Sequence, residues 1–268
     1  MTLNEAVKIL EAAGVENALF DARQIFLRVG KIDLLDLPDR NRSFDAPEIK
    51  DAVMRREKRE PLQYIIGETA FYKELYRVTP DCLIPRQDTE LLVEYAVNNI
   101  PEGESFLDLC TGSGCIAIST LKNTVNTSAL AIDISPSALK IARENAVING
   151  VSERCRFIEG DVLRDAPKGE YYAILSNPPY VSENAYKTLQ KEIYYEPRLA
   201  FVADDDGMKF YERILDVYRD RINPRGFFAF EIGFDQEKKI KDAAIRRGMR
   251  CEILYDLSYL PRVAVIKK

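Results

Sequence analysis

From Leu75 onward, short runs rich in β-branched and aromatic residues alternate with longer stretches whose apolar residues recur at helical spacing. This alternation is typical of a doubly wound α/β fold, a mostly parallel sheet with helices on both faces. We predict seven strands: Ser105–Leu109, Ala129–Asp133, Cys155–Glu159, Ala173–Ser176, Gly226–Ile232, Cys251–Tyr255 and Val263–Ile266. Five helices are predicted around them: Asp88–Asn99, Gly114–Lys122, Pro136–Asn149, Gly207–Arg221 and Asp235–Arg247.

The last two predicted strands are connected differently from the others. A short loop around Leu260 and Pro261 joins them, and it is too short for a helical crossover. We therefore expect an antiparallel hairpin at the end of the chain, so that a parallel sheet ends in one reversed strand.

The N-terminal part of the chain has a different pattern, with three amphipathic helical stretches. The first begins with a capping box in which Thr2 caps the helix and Glu5 returns the hydrogen bond. The third carries the charge run Arg55–Glu60, which we interpret as a solvent-exposed helix face. The sequence therefore predicts a small all-α domain over residues 1–75 and an α/β domain over residues 76–268.

Composition excludes several kinds of chemistry. The chain of 268 residues has no histidine, which rules out Ser-His-Asp and Cys-His nucleophilic sites, histidine metal ligands and histidine general bases. The five cysteines include no Cys-x-x-Cys pair, so we expect reduced thiols, a cytoplasmic location and no metal site. A net charge of −5 disfavours a nucleic-acid partner. No run of about 18 apolar residues occurs, so no membrane association is expected.

A glycine loop follows the first strand of the α/β domain. Residues 106–117 form an apolar strand, a Gly-x-Gly turn and the start of a helix. Gly112 and Gly114 allow a positive φ and let a ligand approach the backbone closely. Asp133 ends the next strand, where a carboxylate can accept both hydroxyls of a ribose. Taken alone, the pattern also describes an NAD site or a turn without a function.

Two further acids favour S-adenosylmethionine over NAD. Asp108 lies in the strand before the loop, where it can face the cationic methionine end of that ligand, whereas a dinucleotide would bring a diphosphate there. Asp161 follows the third strand and can accept a hydrogen bond from the adenine amino group. Each acid also has an interpretation as a strand-end cap or turn former. Three acids at the carboxyl ends of three successive strands favour a ligand site.

The fourth strand is followed by a rigid polar turn, Asn177-Pro178-Pro179-Tyr180. Each proline fixes its own φ and keeps the preceding residue out of the helical region. The Asn177 side-chain oxygen and the Pro178 carbonyl are then two fixed acceptors, which suit a planar amino group and aim its lone pair at a methyl donor. The Tyr180 ring can cover the flat face of the same group. We predict Asn177, Pro178 and Tyr180 as catalytic residues and the whole turn as the substrate-binding segment.

The chain resembles the PrmC/HemK family, the bacterial N5-glutamine methyltransferases of peptide chain release factors. The matching segments are Arg59–Gly67, Leu83–Glu90, Asp108–Ala117, Asn177–Tyr180, Glu196–Ala200 and Glu231–Gly233 with Gln236. The resemblance implies a helical N-terminal domain for substrate recognition and a seven-stranded, Rossmann-like class I methyltransferase domain. It also implies methyl transfer from S-adenosylmethionine, with S-adenosylhomocysteine as the product, to the glutamine of the Gly-Gly-Gln motif in release factors.

The same resemblance implies individual roles. The cofactor-binding residues are expected to be Asp108, Thr111, Gly112, Ser113, Gly114, Asp133, Asp161, Val162 and Asn177. The residues expected to bind the substrate glutamine are Asn177, Pro178, Pro179 and Tyr180. Of these, the loop Thr111–Gly114 would surround the methionine end, Asp133 would hold the ribose, and Asp161 with Val162 would lie beside adenine. Cys110 departs from the glycine of the family pattern, so a less permissive loop is expected, without loss of activity. The expected partner is a release factor protein, bound by a monomer, without direct nucleic-acid or membrane contacts.

Four alternatives stay open. Glutamine methyltransferases of ribosomal proteins share the Asn-Pro-Pro-Tyr turn. An adenine-N6 methyltransferase on DNA or RNA would use the same two acceptors and stack Tyr180 on a flipped base, although the acidic net charge disfavours it. An NAD-dependent oxidoreductase would use the glycine loop and Asp133 but leaves the turn unexplained. A non-catalytic binding protein on the same scaffold is disfavoured by the intact loop and turn.

Overall fold

The structure is a computed structural model that describes residues 1–164, 166–204 and 207–268. The chain divides into two compact units. The smaller unit comprises Met1–Glu68 and Gln190–Tyr195, and the larger unit comprises Thr69–Leu189 and Glu196–Lys268. No helix in the described ranges is both long enough and apolar enough to cross a membrane.

The smaller unit is helical. Its helices are α1 (Leu3–Ala12), α2 (Ala18–Gln24), α3 (Pro47–Glu57) and α4 (Leu62–Ile66), and a π-helical turn continues α2. The predicted capping box is confirmed, because Thr2 Oγ1 accepts from the Glu5 N–H at 3.1 Å and the Glu5 carboxylate accepts from the Thr2 N–H at 2.8 Å. The apolar faces of these helices pack together into a buried core, to which α1 contributes Leu10, the π-helical turn Phe26 and α3 Ile49.

The charge run at the end of α3 is only partly exposed. Arg56 is 8% exposed, and its guanidinium donates to Asp21 at 2.7 Å and to Glu192 at 3.1 Å. Arg59 also donates to Glu192, at 2.6 Å. The prediction of a solvated face is therefore wrong for Arg56, because two carboxylates of the same unit compensate the burial of its charge. These ion pairs hold residues 190–195 within the smaller unit.

A two-stranded sheet of β1 (Glu68–Phe71) and β2 (Glu74–Arg77) follows the helices, and all of it except Glu68 belongs to the larger unit. The prediction of helix up to about residue 75 is wrong here. Buried and exposed residues alternate along β2, and Tyr76 is fully buried. This period of two extends over only four residues, which is too short to be recognised in the sequence.

The main sheet contains all seven predicted strands. They are β3 (Ser105–Leu109), β4 (Ser128–Asp133), β5 (Cys155–Glu159), β6 (Tyr171–Ser176), β7 (Ile222–Glu231), β8 (Arg250–Tyr255) and β9 (Pro261–Lys267). Their spatial order is β5-β4-β3-β6-β7-β9-β8. β9 is antiparallel to both β7 and β8, which confirms the terminal hairpin. The reversed strand is last in sequence but lies one place in from the edge.

Helices pack on both faces of this sheet. They are α5 (Glu90–Asn99), α6 (Cys115–Lys122), α7 (Pro136–Ile148), α9 (Lys209–Tyr218) and α10 (Glu237–Arg246). A short helix, α8 (Glu183–Tyr186), lies in the connection between β6 and α9. Because side chains alternate along a strand, Phe106 joins the core on one face and Leu107 the core on the other. β4 and β5 lie on one side of β3, and β6 lies on the other, so the order in which strands are added switches side at β3. Ligands bind at such switch points, beside the carboxyl ends of the strands.

Candidate active site

A cavity of about 200 Å³ opens at the switch point, entirely within the larger unit. Segments at the carboxyl ends of four strands line it: 110–113 after β3, 133–135 at the end of β4, 160–163 after β5, and Asn177 with Pro179 after β6. Further lining residues come from the segment before α5, from α6 and α7, and from α9 and the segment before it: Asp81, Cys82, Leu83, Pro85, Arg86, Thr89, Cys115, Ile116, Ala138, Pro197, Leu199, Ala200 and Phe210. The cavity therefore brings together the glycine loop, two of the three predicted acids and the proline turn.

The glycine loop is closed by a carboxylate from the neighbouring strand. Asp133 Oδ2 accepts from the Gly112 N–H at 2.8 Å, and Oδ1 accepts from the Ser135 N–H at 2.9 Å. A Cβ added at Gly112 would meet no atom within 4 Å, so the space over the loop is open to a ligand. At Gly114 an added Cβ would lie 3.1 Å from that of Ala142. Gly114 therefore allows close packing of α6 on α7 and is not part of the cavity wall.

Asp108 lies beneath the loop and does not line the cavity. Its Oδ2 accepts from the Thr111 hydroxyl at 2.6 Å and from the Ala117 N–H at 3.1 Å. Its Oδ1 has no hydrogen-bond partner among the residues that the structure describes. Burial raises the pKa of Asp108 to about 7. Asp108 fixes the loop through Thr111, which does line the cavity, while its own contact with a cofactor stays a prediction.

Asp161 and Val162 form another part of the wall. The Asp161 carboxylate accepts from the Leu163 N–H at 2.9 Å, and its carbonyl accepts from the Arg164 N–H at 2.9 Å. The residue therefore forms a turn and also presents polar atoms at the cavity. Val162 is buried beside it, where it offers an apolar surface for a flat ring.

Cys110 takes a backbone conformation that favours glycine. Its φ is +60°, in the left-handed region, which explains why a glycine suits this position in the family pattern. The side chain lines the cavity. Burial raises the pKa of the Cys110 thiol well above its ordinary value, so the thiol is neutral and has no anionic character to offer a ligand.

The Asn-Pro-Pro-Tyr turn is anchored on one buried carboxyl group. Asn177 Nδ2 donates to the Thr89 hydroxyl at 3.3 Å, and that hydroxyl donates to Glu231 Oε2. The Tyr180 hydroxyl donates to Glu231 Oε1 at 3.2 Å. Burial raises the pKa of the Tyr180 phenol, as does the negative charge of Glu231. Tyr180 therefore remains a hydrogen-bond donor. Of the four residues of the turn, Asn177 and Pro179 line the cavity, and Pro178 and Tyr180 do not.

Gln236 holds the backbone of the same turn. Its Nε2 donates to the Tyr180 carbonyl at 3.2 Å, while its Oε1 accepts from the Gly233 N–H at 2.9 Å. Gly207 packs tightly against this carbonyl, because a Cβ there would lie 2.0 Å from it.

The sequence assigned no role to Thr89, Glu231 or Gln236. All three lie in segments that carry the family resemblance, which is the one signal that points to them. Their function could not be inferred from spacing, since the partners are between 51 and 88 positions apart in the chain.

The fold and the cavity define a Rossmann-like methyltransferase. A crystal structure described as ribosomal protein L11 methylase from Lactobacillus delbrueckii subsp. bulgaricus matches 73% of this chain and 86% of its own, with a TM-score of 0.54 and 21% identity. That likeness concerns the fold. Residues 87–197 match the family model "Methyltransferase small domain", and residues 2–67 match "PrmC N-terminal domain".

Sequence relatives define the family within this class. The chain is 38% identical over 246 residues to the release factor glutamine methyltransferase of Fusobacterium nucleatum, covering 88% of this chain and 69% of that protein. It is 37% identical over 257 residues to the enzyme of the same name from Thermodesulfovibrio yellowstonii, covering 92% of each. The chain belongs to the family of release factor glutamine methyltransferases, which confirms the resemblance noted in the sequence.

Proposed function

We propose that this protein transfers a methyl group from S-adenosylmethionine to the side-chain amide nitrogen of the glutamine in the Gly-Gly-Gln motif of peptide chain release factors. One observation carries the proposal: a single cavity is lined both by the glycine loop with Asp133 and by Asn177 of the proline turn. The names of the relatives support the choice of substrate.

The cavity residues fit the proposed cofactor. Each Asp133 oxygen accepts one backbone N–H and retains lone-pair capacity for a ribose hydroxyl. The open space over Gly112 accommodates the methionine end, and the N-terminus of α6 behind the loop favours its carboxylate. Asp161 and Val162 would hold adenine through a polar and an apolar contact. When bound, S-adenosylmethionine supplies an electrophilic methyl group on a positively charged sulfur.

The role of the turn follows from the weakness of the nucleophile. An amide nitrogen is a poor nucleophile because its lone pair is delocalised into the carbonyl group. The Asn177 side-chain oxygen and the Pro178 carbonyl would hold both amide hydrogens and stabilise the nitrogen as it becomes positive. Alignment of two reactants supplies about 7–11 kcal/mol at best, and a preorganised polar group supplies about 2–4 kcal/mol. No histidine is needed, since the methylated nitrogen is acidic enough to lose its proton to water.

Transfer of a labelled methyl group tests the proposed function. The purified protein is incubated with labelled S-adenosylmethionine and, separately, with a release factor, its Gly-Gly-Gln to Gly-Gly-Ala variant, adenine-containing DNA and adenine-containing RNA. We expect label on the native release factor alone. Label on either nucleic acid would instead support the adenine alternative, and equal label on both release factors would exclude the glutamine as the acceptor.

The smaller unit is assigned the recognition of the release factor, because a cavity for one side chain does not distinguish between exposed glutamines. Leu34 and Leu35, in a short 3-10 turn of this unit, are 62% and 85% exposed, and together they offer a partner an exposed apolar surface. The double variant Leu34→Ser/Leu35→Ser should raise KM for the whole release factor by about 10-fold, the equivalent of about 1.4 kcal/mol.

A short Gly-Gly-Gln peptide is the control for this prediction. The peptide cannot reach a separate surface, so the double variant should methylate it as the unchanged protein does. A KM for whole release factor that stays constant would remove these two leucines from the recognition surface.

A further inference from the structure

The side chain of Asn177 has two chemically opposite ends of nearly the same shape. The substrate amide presents N–H donors, so catalysis in the proposed function requires the Asn177 oxygen, and not its NH2 group, to face the substrate. If this amide rotated by 180°, the Asn177 NH2 group would face the substrate NH2 group, and the substrate would lose the Asn177 oxygen as an acceptor. The rate therefore depends on what fixes the orientation of the Asn177 amide.

The neighbouring hydrogen bonds allow one orientation. The Thr89 hydroxyl has a single proton and donates it to Glu231 Oε2. Thr89 can therefore only accept from Asn177, which requires Nδ2 to be turned toward it, as observed at 3.3 Å. In the described part of the chain no hydrogen bond to Asn177 Oδ1 is present. The oxygen is thus the end that remains for a ligand in the cavity.

Glu231 determines the direction of this chain of hydrogen bonds. It is 3% exposed and Thr89 is 2% exposed, so both hydrogen-bonding groups are shielded from bulk solvent. An ionised carboxylate is an acceptor at both oxygens, and here one oxygen accepts from Thr89 and the other from Tyr180. Burial raises the pKa of Glu231, and the two hydroxyl donors oppose that rise. The first and last residues of the turn are therefore anchored on one acceptor.

We propose that Glu231 is a positioning residue that acts through Thr89 to keep the Asn177 side-chain oxygen directed at the substrate amide. The proposal rests on the proposed function for the identity of the substrate. It assigns Glu231 no contact with the substrate and no proton transfer. Glu231 contributes by accepting the Thr89 proton, so that Thr89 in turn accepts from the Asn177 NH2 group.

The variant Glu231→Gln tests the proposal with little change in shape. A glutamine introduces an NH2 donor next to Thr89 or Tyr180. When that donor faces Thr89, the hydroxyl is released to donate to the oxygen of Asn177, and the amide turns its NH2 group toward the substrate. We expect kcat to fall about 100-fold, the range found when one preorganised polar group is lost. KM for the release factor and the Kd for the cofactor should change by less than about 3-fold.

Three variants serve as controls. Thr89→Val removes the hydroxyl and should reproduce the loss of kcat, and Thr89→Ser should recover most of it. Glu74→Gln alters another buried carboxylate of the same unit, which is 6% exposed and accepts from Ser119 at 2.6 Å and Asn123 at 3.1 Å. It lies away from the turn and should reduce Tm without reducing kcat. Equal losses of kcat in Glu74→Gln and Glu231→Gln would overturn the proposal.

A second readout is independent of methyl transfer. The Asn177 NH2 group is observed by 1H–15N NMR in the cofactor-free protein and is assigned by its absence in Asn177→Ala. We expect slow hydrogen exchange of this group in the unchanged protein and in Thr89→Ser, and fast exchange in Glu231→Gln and Thr89→Val. Unchanged exchange in both Glu231→Gln and Thr89→Val would overturn the positioning role. A failure of the proposed function would instead appear as absence of label on the release factor, with the exchange pattern retained.

Discussion

The two halves of the cavity are built in different ways. On the glycine-loop side, most acids accept hydrogen bonds from residues two or three positions away: Asp108 from Thr111, Asp161 from Leu163 and Asp133 from Ser135. The longest separation is 21 positions, between Asp133 and Gly112. On the side of the proline turn, the partners are 88, 51 and 56 positions away. One half is therefore formed within neighbouring strand-loop-helix segments, and the other depends on assembly of the whole sheet.

The sheet register explains how the distant half is assembled. Ser176 at the end of β6 pairs with Phe230 of β7, so the next residues along the two strands, Asn177 and Glu231, lie side by side. Thr89, just before α5, bridges between them.

The two halves also differ in how fully their buried carboxylates are bonded. Both Glu231 oxygens accept hydrogen bonds, whereas Asp108 Oδ1 accepts none among the described residues.

The largest effect is expected where the turn would meet the substrate. Asn177→Ala removes an acceptor and should lower kcat by about 10²–10³-fold, while the Kd for S-adenosylmethionine changes little. Turnover under saturating substrate and cofactor binding by calorimetry measure the two quantities. Near-normal turnover in this variant would remove Asn177 from the catalytic role.

A pH-dependent effect is expected on the loop side. The raised pKa of Asp108, about 7, means that the folded protein holds this proton more tightly than the unfolded chain does. Asp108 therefore stabilises the fold at low pH, and this stability is lost as the pH rises toward 7. Relative to Asp108→Asn, the unfolding free energy of the unchanged protein should fall by about 3 kcal/mol between pH 5 and pH 8.

Urea unfolding of the cofactor-free proteins measures this difference. Other buried acids titrate in both proteins, so they cancel in the comparison. A difference between the two proteins that does not change with pH would show that Asp108 is ionised throughout the range.

Two glycine-to-alanine variants compare how tightly the glycine-loop half and the proline-turn half of the site are packed. Gly112→Ala and Gly207→Ala both place a side chain at a positive φ, +55° and +79°, which costs about 1–2 kcal/mol. The added Cβ has open space at Gly112 but lies 2.0 Å from the Tyr180 carbonyl at Gly207. Gly207→Ala should therefore be less stable than Gly112→Ala by about 2 kcal/mol. Equal unfolding free energies would mean that the turn adapts as easily as the loop.

A smaller effect is expected at the ribose end of the proposed cofactor site. Asp133→Ala removes a charged acceptor and the bond that closes the Gly112 loop. The Kd for S-adenosylmethionine should rise by about 10- to 30-fold, with kcat at saturating cofactor reduced less than in Asn177→Ala. A loss of kcat without a loss of affinity would reverse the roles given to the two halves.

The difference between the halves also explains what could be predicted from the sequence. The strand-loop-helix unit around Gly112 and the acid at Asp133 follow from local periodicity, and the structure places both at the cavity. The hydrogen bond from Asn177 to Thr89 could not be predicted, because it depends on the register of β6 with β7. The strand β2 and the buried Arg56 were missed for related reasons, a pattern of only four residues and a partner 35 positions away.

A crystal structure with S-adenosylhomocysteine and a Gly-Gly-Gln peptide tests the central claim most directly. The account predicts the ribose hydroxyls on Asp133 and the glutamine amide nitrogen within hydrogen-bonding distance of Asn177 Oδ1 and the Pro178 carbonyl. A glutamine side chain bound elsewhere, or an Asn177 amide that turns Nδ2 toward it, would contradict the account.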